Sequence, residues 1–224
     1  LLPKTRGYDI FCVDRSFHRL LDIGFRPHYV VTVDASDLVT PYYKGINTET
    51  ISILPATCSN KLKPESSKRW YIPSIDPVTD RVLQIMTNLP IIHTQGNVAG
   101  ATCGIVEYLG YEEIVLVGAD LAYELTDKGI TRVIDDETED YGFWMKAFKE
   151  TGASKETIEK AYTTIEHPVF RTKCVSDIMF DSYRFAFYAW LDKTKCIVHN
   201  CSEGGSLYHK KMDCKKLEEV LNND

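Results

Sequence analysis

Short apolar runs rich in Val and Ile recur along this chain, and the segments between them space their apolar residues at helical rather than alternating intervals. The runs YDIFCV (8–13), PHYVVTVDAS (27–36), ETISILPAT (49–57), KRWYIPS (68–74), PIIHTQ (90–95), EEIVLVGAD (112–120) and KCIVHN (195–200) read as strands. Helices are predicted over DRSFHRLLDIG (14–24), where Asp14 or Ser16 can cap the start and Gly24 the end. A second is expected over DPVTDRVLQIMTNL (76–89), with Asp76 then Pro77 as cap and first turn. A long apolar helix is expected over VSDIMFDSYRFAFYAWLDK (175–193), with Asp177 near its start. A polar stretch, 124–170, has weaker periodicity and reads as an insertion. Strands alternating with helices predict an α/β fold: a Rossmann-like, mostly parallel sheet sandwiched by helices, as a single domain over 1–224.

Composition narrows the class. The chain has 224 residues, enough for a sizeable core, with 44% hydrophobic and 26% charged residues. A net charge of -6 argues against a nucleic-acid binder, which needs a basic surface. No apolar stretch is long enough to span a bilayer, and no signal-peptide pattern opens the chain. The 7 cysteines are scattered, without a C-x-x-C pair, so no metal ligands are expected; a reducing, cytoplasmic setting is the simplest reading.

In parallel sheets ligands bind beyond the carboxyl ends of the strands. That rule selects three loops: the DAS after 27–33, the TQGNVAG after PII, and the GADLAY after EIVLV. Gly96, Gly100 and Gly104 recur at every fourth position there. Gly96 can expose backbone N–H groups to a phosphate, while Gly100 and Gly104 suit close helix packing. Asn97 is equally a helix cap. The spacing is neither G-x-G-x-x-G nor a P-loop. Asp34 and Asp120 end their strands and can bind a ribose, a metal-phosphate or a sugar, or cap a helix, as Ser36 or Asp37 also can. Tyr123 can stack on a ligand or cover the sheet edge. His167, in IEHPVF, is a candidate general base, its ordinary pKa being near neutrality; His93 reads as a strand-end core residue.

The segment GNVAGATCGIVEYLGYEEIVLVGADLAY (96–123) resembles the hallmark of the motility accessory factor (Maf) family, in which Gly-x-Val-Ala opens a helix and an apolar strand ends in Gly-x-Asp-Leu-Ala-Tyr. GFRPHYVVTVDAS (24–36) is similar to the family's I-x-P-D strand, with His28 replacing the usual acid. VSDIMFDSYRFAFYAWL (175–191) is similar to its Tyr-bearing helix, and NCSEGGSLYHKKM (200–212) to its Glu-Gly-Gly turn. The same domain family includes the archaeal MptE-like 6-hydroxymethylpterin diphosphokinases, and bacterial sialyltransferases are a more distant likeness.

The resemblance implies a nucleotide-binding transferase that moves a nonulosonic, sialic-acid-like sugar from a CMP donor to a protein or glycan hydroxyl, in Maf proteins that of flagellin. It implies that Gly96, Asn97 and Val98 meet the donor phosphate or carboxylate. Asp34 and Asp120 would line the nucleotide crevice with Tyr123 at its flank. Glu203, Gly204 and Gly205 would face it, and Tyr183 would shape the site or pack. The family normally opens with a strand and a Gly-x-Gly-Pro-Ser-Leu loop that this chain lacks. The acidic stretch DDETEDYGFW (135–144) reads as a solvated loop. Two other readings stay open: an MptE-like pyrophosphokinase using ATP with Mg²⁺, and a non-catalytic nucleotide-binding domain. The TQGNV turn favours the first reading, since the archaeal enzymes carry a His-Gly-Asp-Asn type turn there.

Overall fold

The computed structural model describes residues 7–46, 49–59, 61–62, 68–73, 81–82, 85–86, 92, 94–126, 129–131, 152 and 154–222. Half of the strand expected at 90–95, His93 included, most of the helix expected at 76–89, and the acidic stretch 135–144 lie outside these residues. The chain expected to form one domain divides into two compact units, Leu1–Gly110 and Tyr111–Asp224.

The first unit is built on four strands, β1 (Phe11–Val13), β2 (Tyr29–Val31), β3 (Ile51–Pro55) and β4 (Arg69–Ile72), joined in that order and all parallel. Successive residues of a strand point to opposite faces, so a strand covered on both sides reads as a continuous apolar run. Val30 and Leu54 accordingly pack into one cluster with Phe17, Val39, Tyr43 and Ile46. Their neighbours Val31 and Ile53 pack into another with Ile72 and Ile105. Helix α1 (Phe17–Asp22) sits on the first face and ends as its sequence predicts. Gly24 takes φ +74°, its N–H reaching Leu21 O and the Phe25 N–H reaching Leu20 O, both at 2.8 Å. Helix α2 (Val98–Tyr108) presents Ile105, and in its first turn Val98, to the second face.

The second unit holds two sheets. A parallel one is ordered β11–β10–β5, from β5 (Glu113–Leu116), β10 (Ile197–Asn200) and β11 (Met212–Cys214). An antiparallel one is ordered β7–β6–β9–β8, from β6 (Tyr123–Thr126), β7 (Gly129–Thr131), β8 (Tyr162–Glu166) and β9 (Lys173–Asp177). The helices are α3 (Lys155–Lys160), α4 (Ile178–Leu191) and α5 (Leu217–Leu221). The α/β, Rossmann-like expectation therefore holds, with parallel sheets flanked by helices. The polar stretch 124–170 departs from it: β6, β7 and β8 run antiparallel there. Edge strand β8 leaves Thr163, Thr164 and Glu166 exposed, which is why its periodicity is weak. The helix expected from 175 starts at 178. Residues 175–177 pair instead with β8, and Asp177 is the break between strand and helix. No helix among the described residues is long and apolar enough to cross a membrane.

Asp177 joins these elements. Only 1% exposed, it accepts from the Met179 and Phe180 N–H groups at 2.9 Å through Oδ1, capping α4. Its Oδ2 accepts from the Tyr123 hydroxyl of β6 at 2.7 Å. Losing a cap costs about 1 kcal/mol and stranding a buried hydroxyl about 1–3 kcal/mol. Asp177→Ala is therefore expected to lower unfolding free energy by about 2–4 kcal/mol in urea titration. Asp177→Asn, which still caps, should lose clearly less; equal losses would show that capping contributes little.

Candidate functional site

Each unit carries one cluster at the carboxyl ends of its parallel strands. In the first, Asp14 follows β1 and the chain after β2 runs through Thr32 to Asp34, and as parallel neighbours the two strands deliver these residues to one sheet edge. Asp34 is exposed; its Oδ1 accepts from the Ser36 N–H at 2.8 Å, and its own N–H donates to Thr32 Oγ1 at 3.2 Å. Ser36, one of the caps considered, accepts from the Leu38 N–H at 3.3 Å and opens the 3-10 turn Asp37–Tyr43.

Neither Asp14 nor Ser16 caps α1 as expected: Asp14 lies inside the 3-10 turn Asp14–Ser16, and Ser16, at the N-cap position, makes no side-chain cap bond. Asp14 is buried, and its Oδ1 accepts from the Arg15 N–H at 2.7 Å. Burial pushes its carboxyl above the usual range, a bond to the Thr32 side chain opposes this, and the charge of Asp34 adds to the rise. The signal for it was the one used for Asp34 and Asp120, an acid placed directly after an apolar strand.

The α2 start lies in the same unit. Asn97 is its N-cap, accepting from the Gly100 N–H at 2.9 Å and donating Nδ2 to Gln95 O at 3.1 Å. Gln95 and Gly96 both take positive φ, +51° and +77°, which makes the sharp turn into the helix. Gly100 leaves room for the Gln95 side chain, whose Cβ lies 2.7 Å from where a Cβ at 100 would stand. Packing thus accounts for Gly100, and Gly104 is buried on the same helix. Gly96 stays exposed, and Val98 belongs to the core.

In the second unit the GADLAY loop and the Glu-Gly-Gly turn are fastened together. The Ser206 N–H donates to Asp120 O at 2.8 Å, the Ser206 hydroxyl to Leu121 O at 2.7 Å, and the Ala119 N–H to Ser202 Oγ at 2.9 Å. Gly205, at φ +78°, lies so close to Asp120 that a Cβ there would come within 2.5 Å of Asp120 Cα. Buried Asn200, the last residue of β10, braces the turn, donating to Leu207 O at 2.9 Å and accepting from the Ser202 N–H at 3.0 Å. Glu203 is exposed at φ +59°. Burial raises the Asp120 carboxyl above its usual range, and the charge of Glu124 raises it further.

Two expected residues serve the interior instead. Tyr123 is 4% exposed, its ring against Tyr162 and Phe180 and its hydroxyl on Asp177, which leaves no ring face for a ligand. His167 is 1% exposed. Its Nδ1 lies 3.3 and 3.2 Å from the Val169 and Phe170 N–H groups, so it accepts, and Nε2–H then donates to Leu207 O at 3.0 Å. With both nitrogens engaged and the charged form disfavoured by burial, His167 is a neutral latch rather than a general base. Tyr183 packs edge-on to Phe180.

Residues 4–126, over half of the chain, match the model of the family described as MptE-like: 6-hydroxymethylpterin diphosphokinase MptE-like. In fold the chain is similar to a structure described as a MAf glycosyltransferase from Magnetospirillum magneticum AMB-1, with a TM-score of 0.65 and 14% identity. The match covers 96% of this chain and 31% of that one, so the chain spans under a third of that protein's length. No curated protein matches.

The glycine contact and the latch each carry an expected outcome. Gly205→Ala should destabilise by more than about 1 kcal/mol, the left-handed backbone penalty alone, because its Cβ would also strike main chain. Gly204→Ala, facing only Thr172 Oγ1 at 3.4 Å, should be milder. Thermal melts of the pair decide this. For His167 the folded pKa is depressed below the ordinary 6.5. Below that pH the unfolded chain binds a proton that the folded one refuses, so stability should fall as pH drops through 6.5. Urea midpoints at pH 7.5 and 5.5 measure it, and His167→Gln should flatten the difference.

Proposed function

This chain belongs to the MptE-like 6-hydroxymethylpterin diphosphokinase family, and from that premise we propose that it is a transferase acting on a nucleotide-linked donor, in the manner of a Maf-type glycosyltransferase. The donor is a CMP-linked nonulosonic sugar and the acceptor a hydroxyl of a protein such as flagellin, or of a glycan. One observation carries this choice within the family. The fold likeness to a glycosyltransferase extends over both units, whereas the family match ends at residue 126, within β6. The Asp120 loop lies inside the matched residues, and the Gly205 turn fastened to it lies beyond them, within the span of the fold likeness alone.

In this reaction the acceptor oxygen bonds to the anomeric carbon, the bond from that carbon to the CMP phosphate oxygen breaks, and CMP leaves with the electron pair. The acceptor proton needs a base. Asp120 suits that role, because a carboxyl raised towards neutrality takes up a proton more readily than an ordinary one. The exposed Glu203 and the Gly204 and Gly205 backbone flank it.

The family match favours a second reading, diphosphate transfer from ATP. That chemistry calls for Mg²⁺ held by one or two carboxylates together with the substrate phosphates. Among the described residues no group of three or more His, Cys, Asp or Glu is arranged to hold a metal. Of the acids at the β1–β2 edge only Asp34 is exposed, Asp14 being turned inward onto Arg15 N–H and Thr32. Asp34 is the exposed acid there that such an ion would meet.

A thermal-shift series with CMP, CDP, UDP, GDP and ATP, each with and without Mg²⁺, separates the two. CMP is expected to give the largest rise; at 100 times its dissociation constant a ligand adds about 2.7 kcal/mol. A larger, Mg²⁺-dependent rise with ATP would replace the glycosyltransferase by the diphosphokinase. Asp120→Asn should keep the melting temperature and abolish most sugar transfer, as loss of a base removes roughly 10²–10⁴ in rate.

A further inference from the structure

The turn between β8 and β9, residues 167–172, lies against the Glu-Gly-Gly loop, and none of the roles assigned above uses its exposed side chains. Thr172 Oγ1 stands 3.4 Å from the point where Gly204 would carry a Cβ, so its hydroxyl borders the glycine backbone directly. The turn is rigidly tied: the His167 N–H donates to Thr172 O at 2.8 Å, the Arg171 N–H to His167 O at 2.9 Å, and the His167 ring to Leu207 O within the facing loop. At its tip Arg171 is held at φ +60°, a conformation that favours glycine. Its side chain is 75% exposed, and the acid beside it, Glu166, is 3.9 Å away and itself half exposed. Such a pair is largely screened, and the guanidinium keeps donors for another partner.

An exposed cation on a left-handed residue, next in the turn to a hydroxyl that borders a glycine backbone, can grip an oxyanion. The surrounding charge sharpens the point. Asp120, Glu124 and Glu203 all lie on or next to the fastened loops, so an anionic ligand placed there meets repulsion unless a cation compensates it. We propose that the 167–172 turn is a third wall of the second unit's ligand site, in which Arg171 and Thr172 hold an oxyanion of the ligand. The shared chemistry is that of a nucleotide phosphate or an acidic sugar carboxylate. The ligand class rests on the transferase reading.

The test exploits the backbone. Arg171→Gly removes the cation while relieving the left-handed strain, so its melting temperature should match or exceed that of the unaltered protein. Calorimetric titrations of both, and of Arg171→Lys and Thr172→Val, use CMP, AMP, cytidine, adenosine and free N-acetylneuraminic acid at low and high salt. Loss of a charged hydrogen bond predicts about a tenfold or greater loss of affinity for the anionic ligand in Arg171→Gly. The nucleosides should be unaffected, Arg171→Lys should recover part of the loss, and high salt should narrow it. A loss seen with CMP or AMP assigns the phosphate; one seen with the free acidic sugar assigns the carboxylate. A preference for AMP over CMP would remove the cytidine reading and leave the Arg171 result standing. Equal affinity for every anion in Arg171→Gly and the unaltered protein, or no anion binding at all, would overturn the proposal.

Discussion

Main chain lies directly against main chain only where a side chain is missing, and in the second unit that place is Gly205. Its α-carbon rests where a Cβ would drive into the backbone of Asp120, and the next residue, Ser206, turns that contact into hydrogen bonds with Asp120 O and Leu121 O. Because β5 and β10 are hydrogen-bonded parallel neighbours, the loops that follow them leave the same sheet edge. The position of the Asp120 carboxylate, the exposure of Glu203 and the turn of backbone at 203–205 all follow from this one approach.

Keeping two loops so close requires that their buried polar groups be satisfied, since an unpartnered one costs about 1–3 kcal/mol. The Leu207 carbonyl shows how densely this is arranged, accepting from both His167 Nε2 and Asn200 Nδ2. The Tyr188 hydroxyl on α4 accepts from the Tyr208 N–H at 3.2 Å and lies 3.4 Å from Ser206 O. One turn away, Arg184 donates to Asp181 Oδ1, which also accepts from the Ser176 hydroxyl. These side chains come from β8's end, β9, β10 and α4, so the antiparallel sheet and the long helix act as the frame of the loops.

What the sequence disclosed follows the same physics. The β1, β2, β5 and β10 strands were legible because a doubly covered strand needs an unbroken apolar run, and Asn97 was legible because caps have few chemical solutions. The start of α4 was not, since β9 runs into the helix with no loop between them, and a single aspartate makes the break. His167 misled for a related reason. A histidine's ordinary pKa marks it for proton transfer, but whether its nitrogens are free depends on the backbone it meets, here that of the adjoining turn for Nδ1 and of Leu207, forty positions on, for Nε2. Asp14 was underestimated because burial, not sequence context, separates it from its exposed neighbour Asp34.

The two units repeat one electrostatic device. Asp14 after β1 and Asp120 after β5 each sit partly or wholly out of water at a parallel strand's end, and each has a second acid in electrostatic reach, Asp34 for the one and Glu124 for the other. Burial is the larger cause in both, so both carboxyls are shifted towards the protonated form. Each thus combines a partly desolvated carboxyl with a neighbouring acid that disfavours further negative charge. The nearby turn carries a residue of the opposite sign, Arg171, next to Thr172, whose hydroxyl borders Gly204.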